Sequence, residues 1–379
     1  MYYEEKNKNK EKLITYIFMA IIIALLAILI LRTEVNNNSF QGTYNAEKLA
    51  IEDVQETQTT NDTINTMENS KNMIEESVKS IVGISKLKQT GSSIFLSNAE
   101  NKLGLGSGVI ITDNGYILTN QHVAGNKYSS CFVTLEDGKS YEGNVVWSDS
   151  NIDLAIVKIS KGNLQYLKLG DSDSIKLAED VYAIGNPIGM DFQRTVTKGI
   201  ISALDRTIQI EDETGSNYME DLIQTDATIN EGNSGGALIN QNGELIGINS
   251  VKISDAEGIG FAVPVNIIKP IINKLVNGGK FEEAWLGIYG YDKEAIRYLD
   301  SNIEIDSGIY VAQISLDGPL LKEDVKIGDI ITKIDDTEIN KMNDLKKYIY
   351  NKKPGDLVQL SIQRNGREFM VNVVLSGKS

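Results

Sequence analysis

Apolar residues in the middle of the chain form short runs, and turn-forming residues separate these runs. Val109–Thr112 and Tyr116–Thr119, for example, flank Asp113–Gly115. Asn-Gly and Asp-Gly steps supply the positive φ angles that tight hairpins need. The closely spaced strands from Ile81 to Pro264 therefore predict a sandwich or a pair of barrels.

The first clear helical spacing follows these strands. It comprises Ile268, Ile271, Ile272, Leu275 and Val276. Pro264 precedes the pattern and Gly278-Gly279 follows it, which are typical start and stop signals. Pro270 lies inside the pattern, so the helix is either kinked or begins later than Ile268.

A long apolar run lies near the N-terminus. Leu13–Leu31 contains nineteen residues without a charge, close to the length that spans a ~30 Å hydrocarbon core. Four lysines lie between Lys6 and Lys12, and only Arg32 lies close behind the run. The positive-inside rule then places the N-terminal tail in the cytoplasm and the rest outside. A cleaved signal peptide is the alternative, but its apolar region would be ~7–15 residues long and end in small residues.

The segment from 32 to 73 is rich in Asn, Thr, Gln and Glu and has few aromatic residues. Such a composition buries too little apolar surface to offset the entropy of ordering. We therefore predict a flexible tether, with folding beginning near Ile74. A short amphipathic helix within Ile51–Met73 stays open as an alternative, although the apolar spacing there is poor.

Composition and charge exclude several classes of protein. The chain has 37 Lys+Arg and 52 Asp+Glu, a net charge of −15, and nucleic-acid binding needs a basic face. Cys131 is the only cysteine, so no intrachain disulfide can form. His122 is the only histidine, which leaves few options for metal ligation. We predict no cofactor and no metal site.

Three segments, 119–125, 151–157 and 230–238, carry candidate chemistry because they hold His122, Asp153 and Ser234. A serine hydroxyl needs a base within hydrogen-bond reach, and that base needs a third group to fix its tautomer. The order His…Asp…Ser is the chymotrypsin-type order, distinct from subtilisin and from α/β-hydrolases. A Ser–Lys pair stays open, but no lysine lies in a comparable setting.

Glycines flank Ser234 and allow the backbone to turn sharply. The turn Gly232-Asn233-Ser234 is the candidate oxyanion hole, because the N–H groups of Gly232 and Ser234 can then be aimed at one point.

The region from about Ile74 to Gly279 resembles the protease domain of the HtrA/DegP family of trypsin-like serine proteases. The matching segments are Gly106–Ile110, Gly115–Asn120, Ala183–Gly189, Thr195–Ser202, Gln224–Ala227 and Gly258–Pro264. The resemblance implies two six-stranded β-barrels with the triad in the cleft between them. It also implies that His122 is the base, Asp153 the orienting carboxylate and Ser234 the nucleophile. Many family members have Pro where Glu231 and Ala237 stand.

The sequence also bears on specificity. Trypsin-like enzymes that cleave after Lys or Arg have an acid six positions before the serine, where this chain has Thr228. Ile229 and Ile248 instead predict a small apolar pocket. The resemblance implies cleavage after Val, Ala or Ile in unfolded chains. Arg206 stands where the family has an arginine that links a sensor loop to the active site, but it could equally be a solvated loop charge.

The segment from 284 to 379 resembles a PDZ domain of the bacterial, circularly permuted type. Trp285–Ile288 matches the family's carboxylate-binding loop, and 343–351 matches its groove helix. The implied function is β-augmentation, in which the C-terminus of another chain adds a strand and its carboxylate meets backbone N–H groups. The candidate peptide-binding residues are Leu286, Gly287, Ile288, Leu345 and Ile349. It stays open that the four apolar residues of this set belong only to the core.

The sequence thus predicts a mainly β protein, with a double six-stranded β-barrel protease domain and an α+β PDZ domain after one transmembrane helix. The predicted parts are a cytoplasmic tail (1–12), the helix (13–31), a linker (32–73), the protease domain (74–279) and the PDZ domain (284–379). The predicted function is a membrane-anchored extracytoplasmic serine endopeptidase that degrades unfolded or damaged proteins, with a homotrimer suggested by the resemblance. A chaperone-like or scaffold protein that binds unfolded chains and C-termini is the alternative.

Overall fold

The computed structural model describes residues 59–87, 103–186, 194–212, 215–230, 232–252, 258–299 and 302–378. Nearly all of these residues belong to one compact unit, Ile64–Ser379. The predicted cytoplasmic tail and membrane helix lie outside the described residues. Within the described ranges, no helix is both long enough and apolar enough to cross a membrane.

The first described element is a helix, α1 (Thr59–Val78). The predicted tether is therefore wrong over residues 59–72, and the helix left open as an alternative is present. Its last turns are held by Met73, Ile74 and Val78, which pack against the main hydrophobic cluster. The Ser77 hydroxyl also donates to the Met73 carbonyl at 2.8 Å. Only a few apolar residues of α1 make these contacts. The mainly polar composition of the segment therefore did not predict the helix.

The first barrel is closed, with the strand order β1-β2-β3-β6-β5-β4. Its strands are β1 (Ile81–Leu87), β2 (Leu103–Ile110), β3 (Tyr116–Thr119), β4 (Ser130–Thr134), β5 (Ser140–Asp149) and β6 (Leu154–Ile159). The predicted hairpin at Asp113–Gly115 joins β2 to β3, with Val109 opposite Leu118. A short helix, α2 (Gln121–Ala124), follows β3.

The second barrel is also closed, with the order β10-β11-β12-β9-β8-β7. Its strands are β7 (Asp180–Gly185), β8 (Thr195–Asp212), β9 (Gly215–Thr225), β10 (Ala237–Ile239), β11 (Leu245–Lys252) and β12 (Gly260–Pro264). The prediction of two six-stranded barrels is confirmed.

A 3₁₀ turn (Val265–Ile267) and the helix α3 (Lys269–Gly278) follow the second barrel. Pro270 lies in the first turn of α3, where its missing N–H costs no helical hydrogen bond. Of the two alternatives for this helix, the later start is therefore the one observed. Gly279 ends the helix in a left-handed conformation (φ 67°) and donates to the Leu275 carbonyl.

The remaining chain forms an α+β domain. Its elements are β13 (Ala284–Trp285), β14 (Ile288–Tyr291), α4 (Lys293–Leu299), β15 (Ile309–Ile314), a 3₁₀ turn (Pro319–Lys322), β16 (Ile330–Ile334), β17 (Thr337–Glu338), α5 (Met342–Asn351), β18 (Leu357–Arg364), β19 (Arg367–Val374) and β20 (Ser376–Gly377). The main sheet has the order β14-β15-β16-β18-β19, and β13 pairs with β20.

Helix α5 belongs to two cores at once. Leu345 and Ile349 lie in the hydrophobic cluster of the α+β domain. Tyr350, on another face of the helix, lies in a cluster that combines residues of both barrels and of α3. The Asn343 N–H donates to Asp221 of β9 at 3.2 Å, and Lys347 pairs with Asp173 at 3.1 Å. Helix α5 therefore connects the α+β domain to the barrels through apolar and polar contacts.

Candidate active site

His122 and Asp153 meet at the edge of the first barrel. His122 lies on α2, and Asp153 is the last residue of the hairpin loop between β5 and β6. His122 Nδ1 is 2.8 Å from Asp153 Oδ2, and the His122 backbone N–H donates to Asp153 Oδ1 at 3.0 Å. The carboxylate is 13% exposed and the imidazole 51% exposed. The Asp153 carboxylate therefore holds the imidazole ring through Nδ1 on its buried side, and the opposite edge of the ring stays accessible.

Ser234 joins this pair through Ser250. The Ser234 hydroxyl donates to the Ser250 carbonyl at 2.9 Å, and the Ser250 hydroxyl donates to Asp153 Oδ2 at 2.8 Å. Ser250 lies on β11 and is buried. The structure thus brings together all three residues predicted for the triad, and it adds Ser250. No motif around Ser250 signalled this contact, because the partner carboxylate lies 97 residues earlier in the chain.

The turn before Ser234 is held by Ser107 of the first barrel and by a hydrogen bond within the turn itself. Gly232 has φ 98°, and its carbonyl accepts a hydrogen bond from the buried Ser107 hydroxyl. The Ser107 N–H donates to the Ser234 carbonyl at 2.8 Å. The Asn233 N–H donates to the Asn230 carbonyl at 3.0 Å, so this N–H is engaged within the turn itself. Ser107 is a second residue that sequence reasoning missed, although it lies in a matched segment.

The three residues predicted for the substrate pocket differ in how deeply they are buried. Thr228 is exposed, and its carbonyl accepts from Thr197 Oγ1 at 2.9 Å and from Asn233 Nδ2 at 3.2 Å. Ile229 is buried against Gly260, where a Cβ atom would lie 2.8 Å from Ile229 Cδ1. Ile248 is fully buried in the main cluster. Thr228 and Ile229 therefore line the turn beside Ser234, whereas Ile248 belongs to the core.

Arg206, the predicted regulatory residue, is exposed on β8. Its Nε donates to Gln224 Oε1 on β9 at 3.2 Å. This contact joins the two longest strands of the second barrel.

The place predicted for the peptide groove, between β14 and α5, holds a cavity. Ile288 and Met342 line a cavity of about 160 Å³ there, together with Trp285 and Lys346. Gly287 has φ 79°, and a Cβ atom on it would lie 2.6 Å from Gly318 Cα. Gly287 therefore permits a close approach of two backbones.

Leu286, Leu345 and Ile349 are buried in the core of the α+β domain. Met342 and Lys346 of α5 line the cavity instead. These two residues were not among those predicted from the sequence. Helical spacing alone did not tell which face of α5 points to the core.

Three carboxyl groups, those of the buried Asp221 and Asp292 and of the half-buried Glu220, lie where β9 meets the α+β domain. Burial and the nearby charge of Asp292 raise the pKa of Asp221 to about 7. The same two causes raise the pKa of Glu220, and burial raises that of Asp292. Glu220 also lines the groove cavity. This junction therefore holds acids that keep their protons at pH values where ordinary carboxyls are ionised.

Comparison with known proteins agrees with this geometry. The trypsin-like peptidase domain family matches residues 106–248, and the PDZ domain family matches residues 286–375. Serine protease Do-like HtrA of Bacillus subtilis (strain 168) is 39% identical over 326 residues, which is 81% of this chain and 72% of that protein. Periplasmic pH-dependent serine endoprotease DegQ of Escherichia coli (strain K12) is 38% identical over 279 residues, 72% of this chain and 59% of that protein.

A solved structure, the HtrA-type protease AlgW with tripeptide, superimposes with a TM-score of 0.60 at 33% identity. The superposition covers 82% of this chain and 97% of that one. The fold and the site define a trypsin-like serine endopeptidase with one PDZ domain. The chain belongs to the HtrA/DegP family.

Proposed function

We propose that this protein is a membrane-anchored, extracytoplasmic serine endopeptidase that degrades unfolded or damaged proteins. The observation that carries the proposal is the hydrogen-bonded set around Asp153, which contacts His122 directly and Ser234 through Ser250. In this proposal Ser234 is the nucleophile, His122 the general base and Asp153 the group that orients the imidazole.

The reaction proceeds through an acyl-enzyme. The Ser234 hydroxyl turns from the Ser250 carbonyl toward His122, which takes its proton as the oxygen attacks the substrate carbonyl. His122 then gives this proton to the leaving amine, and the amide bond breaks. A water molecule, activated by His122 in the same way, hydrolyses the ester on Ser234. Asp153 orients the imidazole and stabilises the imidazolium in both steps.

The negative oxygen of the tetrahedral intermediate needs N–H donors. The N–H groups of Gly232 and Ser234 are the proposed donors, and the left-handed Gly232 sets the direction of this turn. The Asn233 N–H is engaged with Asn230, so in this arrangement Asn233 supports the turn. Ser107 strengthens the same turn through the Gly232 carbonyl.

The pocket next to Ser234 favours small apolar residues. Thr228 carries no negative charge, and Ile229 is apolar and lies against Gly260. A lysine or arginine would find no counter-ion at these residues, so cleavage should follow Val, Ala or Ile. Substrates must be extended to enter, which selects unfolded chains. A regulatory role for Arg206 stays a prediction.

The proposed PDZ domain extends from 284 to 379 and follows a proposed protease domain of 74–279. It binds the C-termini of other chains. The loop Trp285–Ile288 would bind a terminal carboxylate, and Ile288 with Met342 would contact the last side chains. A captured protein is thereby concentrated near Ser234.

A homotrimer is the proposed assembly, and sedimentation equilibrium on the purified chain measures its mass.

The proposal of a membrane anchor is based on the apolar run 13–31 and on the lysines before it. DegQ, a relative, is described as periplasmic, which supports an extracytoplasmic position for the protease and PDZ domains. Protease added to intact cells or spheroplasts should cut the protein after Arg32 and leave the tail protected. Recovery of a soluble form that begins after Leu31 would indicate a signal peptide instead.

The deciding experiment compares the full chain with Ser234→Ala in a casein-degradation assay. The glycine turn does not depend on the hydroxyl, so the variant should fold and lose activity by ~10⁴–10⁶. Equal activity of the two proteins would overturn the mechanism. If the wild type is also inactive but both proteins prevent aggregation of an unfolded substrate, the chaperone-like alternative is favoured.

A further inference from the structure

The loop that carries Asp153 is a four-residue hairpin turn, Ser150–Asp153. Asp149, the last residue of β5, lies opposite Leu154, the first residue of β6. Asp153 itself has φ 51°, a conformation that non-glycine residues seldom adopt. The position of the Asp153 carboxylate therefore depends on how firmly the two ends of this turn are held.

Asp149 holds the first end. Its side chain is buried, and Oδ1 accepts the Asn151 N–H of the turn at 2.9 Å. Burial opposes ionisation, but Lys346, Lys378 and two hydrogen bonds lower the pKa of Asp149 below its ordinary value. Asp149 is therefore a buried anion, and such a group strongly requires its hydrogen-bond donors.

One of these donors comes from the PDZ domain. The Tyr350 hydroxyl of α5 donates to Asp149 Oδ2 at 2.8 Å. The ring packs edge-on against Trp147 and against Phe281, each with centroids 6.1 Å apart. Tyr350 is 3% exposed, so water cannot replace its hydroxyl without opening the domain junction.

The other side of the same turn faces the groove. Asn151 and Ile152 line the cavity together with Ile288 and Met342 of the PDZ domain. The turn that bears Asp153 is therefore enclosed by PDZ residues on two sides.

We propose that Tyr350 and Asp149 are positioning residues for the protease, through which the PDZ helix α5 fixes the placement of Asp153 against His122. The inference rests on the proposed role of Asp153. Without the Tyr350 hydroxyl, the Asp149 carboxylate loses a donor and its hold on Asn151 weakens. The Asp153 turn then samples other positions, and a displacement of ~1 Å in a catalytic group can cost about 100-fold in rate.

The test uses the full chain with Tyr350→Phe, which removes one oxygen and keeps the packing with Trp147 and Phe281. Tyr348→Phe is the matched control, because the Tyr348 hydroxyl on the same helix also donates to a carboxylate, that of Asp335, but within the PDZ domain. Kinetics on a short internally quenched peptide give kcat and KM separately. His122 is the only histidine, so selective labelling yields one set of imidazole NMR signals.

We expect Tyr350→Phe to lower kcat at least about tenfold with KM within about twofold, since ground-state binding is untouched. The His122 Nδ1 proton signal should shift or broaden, while Tyr348→Phe leaves both the rate and the signal unchanged. Asp149→Asn should have a similar effect, and the double variant should be no worse than either single one.

Wild-type rates and His122 signals in a folded Tyr350→Phe protein would overturn the inference. So would effects of Tyr350→Phe and Asp149→Asn that simply add. These results are distinct from failure of the proposed function, in which Ser234→Ala would keep the activity of the wild type.

Discussion

Ser250 lies between the nucleophile and the orienting carboxylate: its hydroxyl donates to Asp153 Oδ2 at 2.8 Å while its carbonyl accepts the Ser234 hydroxyl at 2.9 Å. Asp153 Oδ2 is therefore shared between His122 and Ser250. The Ser250 hydroxyl therefore helps to hold the carboxylate in contact with His122.

Ser250→Ala should lower kcat/KM by about tenfold or more. A hydrogen bond to a charged group contributes ~1.5–3 kcal/mol, and ~1.4 kcal/mol is one decade in rate. The backbone carbonyl remains, so the acceptor for Ser234 is unchanged. Ser140→Ala, which removes a hydroxyl that pairs with Thr134 on the first barrel, is the control and should keep full activity. An unchanged rate in Ser250→Ala would show that the shared hydrogen bond has no role in turnover.

The reaction should also depend on pH through the single histidine. An imidazole that already carries the second proton cannot accept the Ser234 proton. We expect kcat/KM to fall as the pH is lowered, and His122→Ala to be inactive at every pH. Circular dichroism at each pH checks that the fold persists. A rate constant that stays level down to pH 5 would instead favour a lysine base.

Local patterns in the sequence predicted the elements whose causes are local. Asp113–Gly115 closes the hairpin between β2 and β3, and Gly279 ends α3, because each conformation depends on a few neighbouring residues. The order of His122, Asp153 and Ser234, with the matched segments, predicted which side chains converge.

Contacts between distant segments could not be predicted in this way. Tyr348 and Tyr350 are two residues apart on the same helix, yet one hydroxyl bonds within the PDZ domain and the other reaches Asp149, 201 residues earlier. The difference arises from the face that α5 turns toward the barrels. The helix α1 was left as an alternative to the tether for a similar reason, since Met73, Ile74 and Val78 pack on a core that other segments build.

Gly287 offers a test of the PDZ loop. The residue has φ 79°, and a Cβ would approach Gly318 Cα within 2.6 Å, so Gly287→Ala must displace the loop. Gly366→Ala is the matched control, because Gly366 also has positive φ (75°) but no atom lies within 4 Å of its added Cβ. Both variants are made in the full chain with Ser234→Ala to prevent cleavage.

Calorimetry with a peptide that ends in an apolar residue should then show at least about tenfold weaker binding for Gly287→Ala and little change for Gly366→Ala. Amidation of the peptide's C-terminus should weaken binding to the control protein, because the loop loses its charged acceptor. If free and amidated peptides bind equally, the groove does not recognise C-termini.

The buried acids at the domain junction predict a stability that falls as pH rises. Asp221 accepts the Asn343 N–H of α5 at 3.2 Å, and burial with the charge of Asp292 raises its pKa to about 7. The ordinary value is 3.8. Between these values the folded protein holds a proton that the unfolded chain has released, so the free energy of unfolding decreases with pH until about pH 7.

Asp221→Asn removes this titration and keeps an acceptor for Asn343. From pH 5 to pH 8, its free energy of unfolding should rise relative to the wild type by on the order of 1–3 kcal/mol. Urea unfolding can be followed by the fluorescence of Trp147 in the first barrel and Trp285 in the PDZ domain, the only two tryptophans. Asp306→Asn, at an exposed position, is the control and should track the wild type at both pH values. A difference between Asp221→Asn and the wild type that is the same at both pH values would mean that Asp221 is already ionised in the folded protein at pH 5.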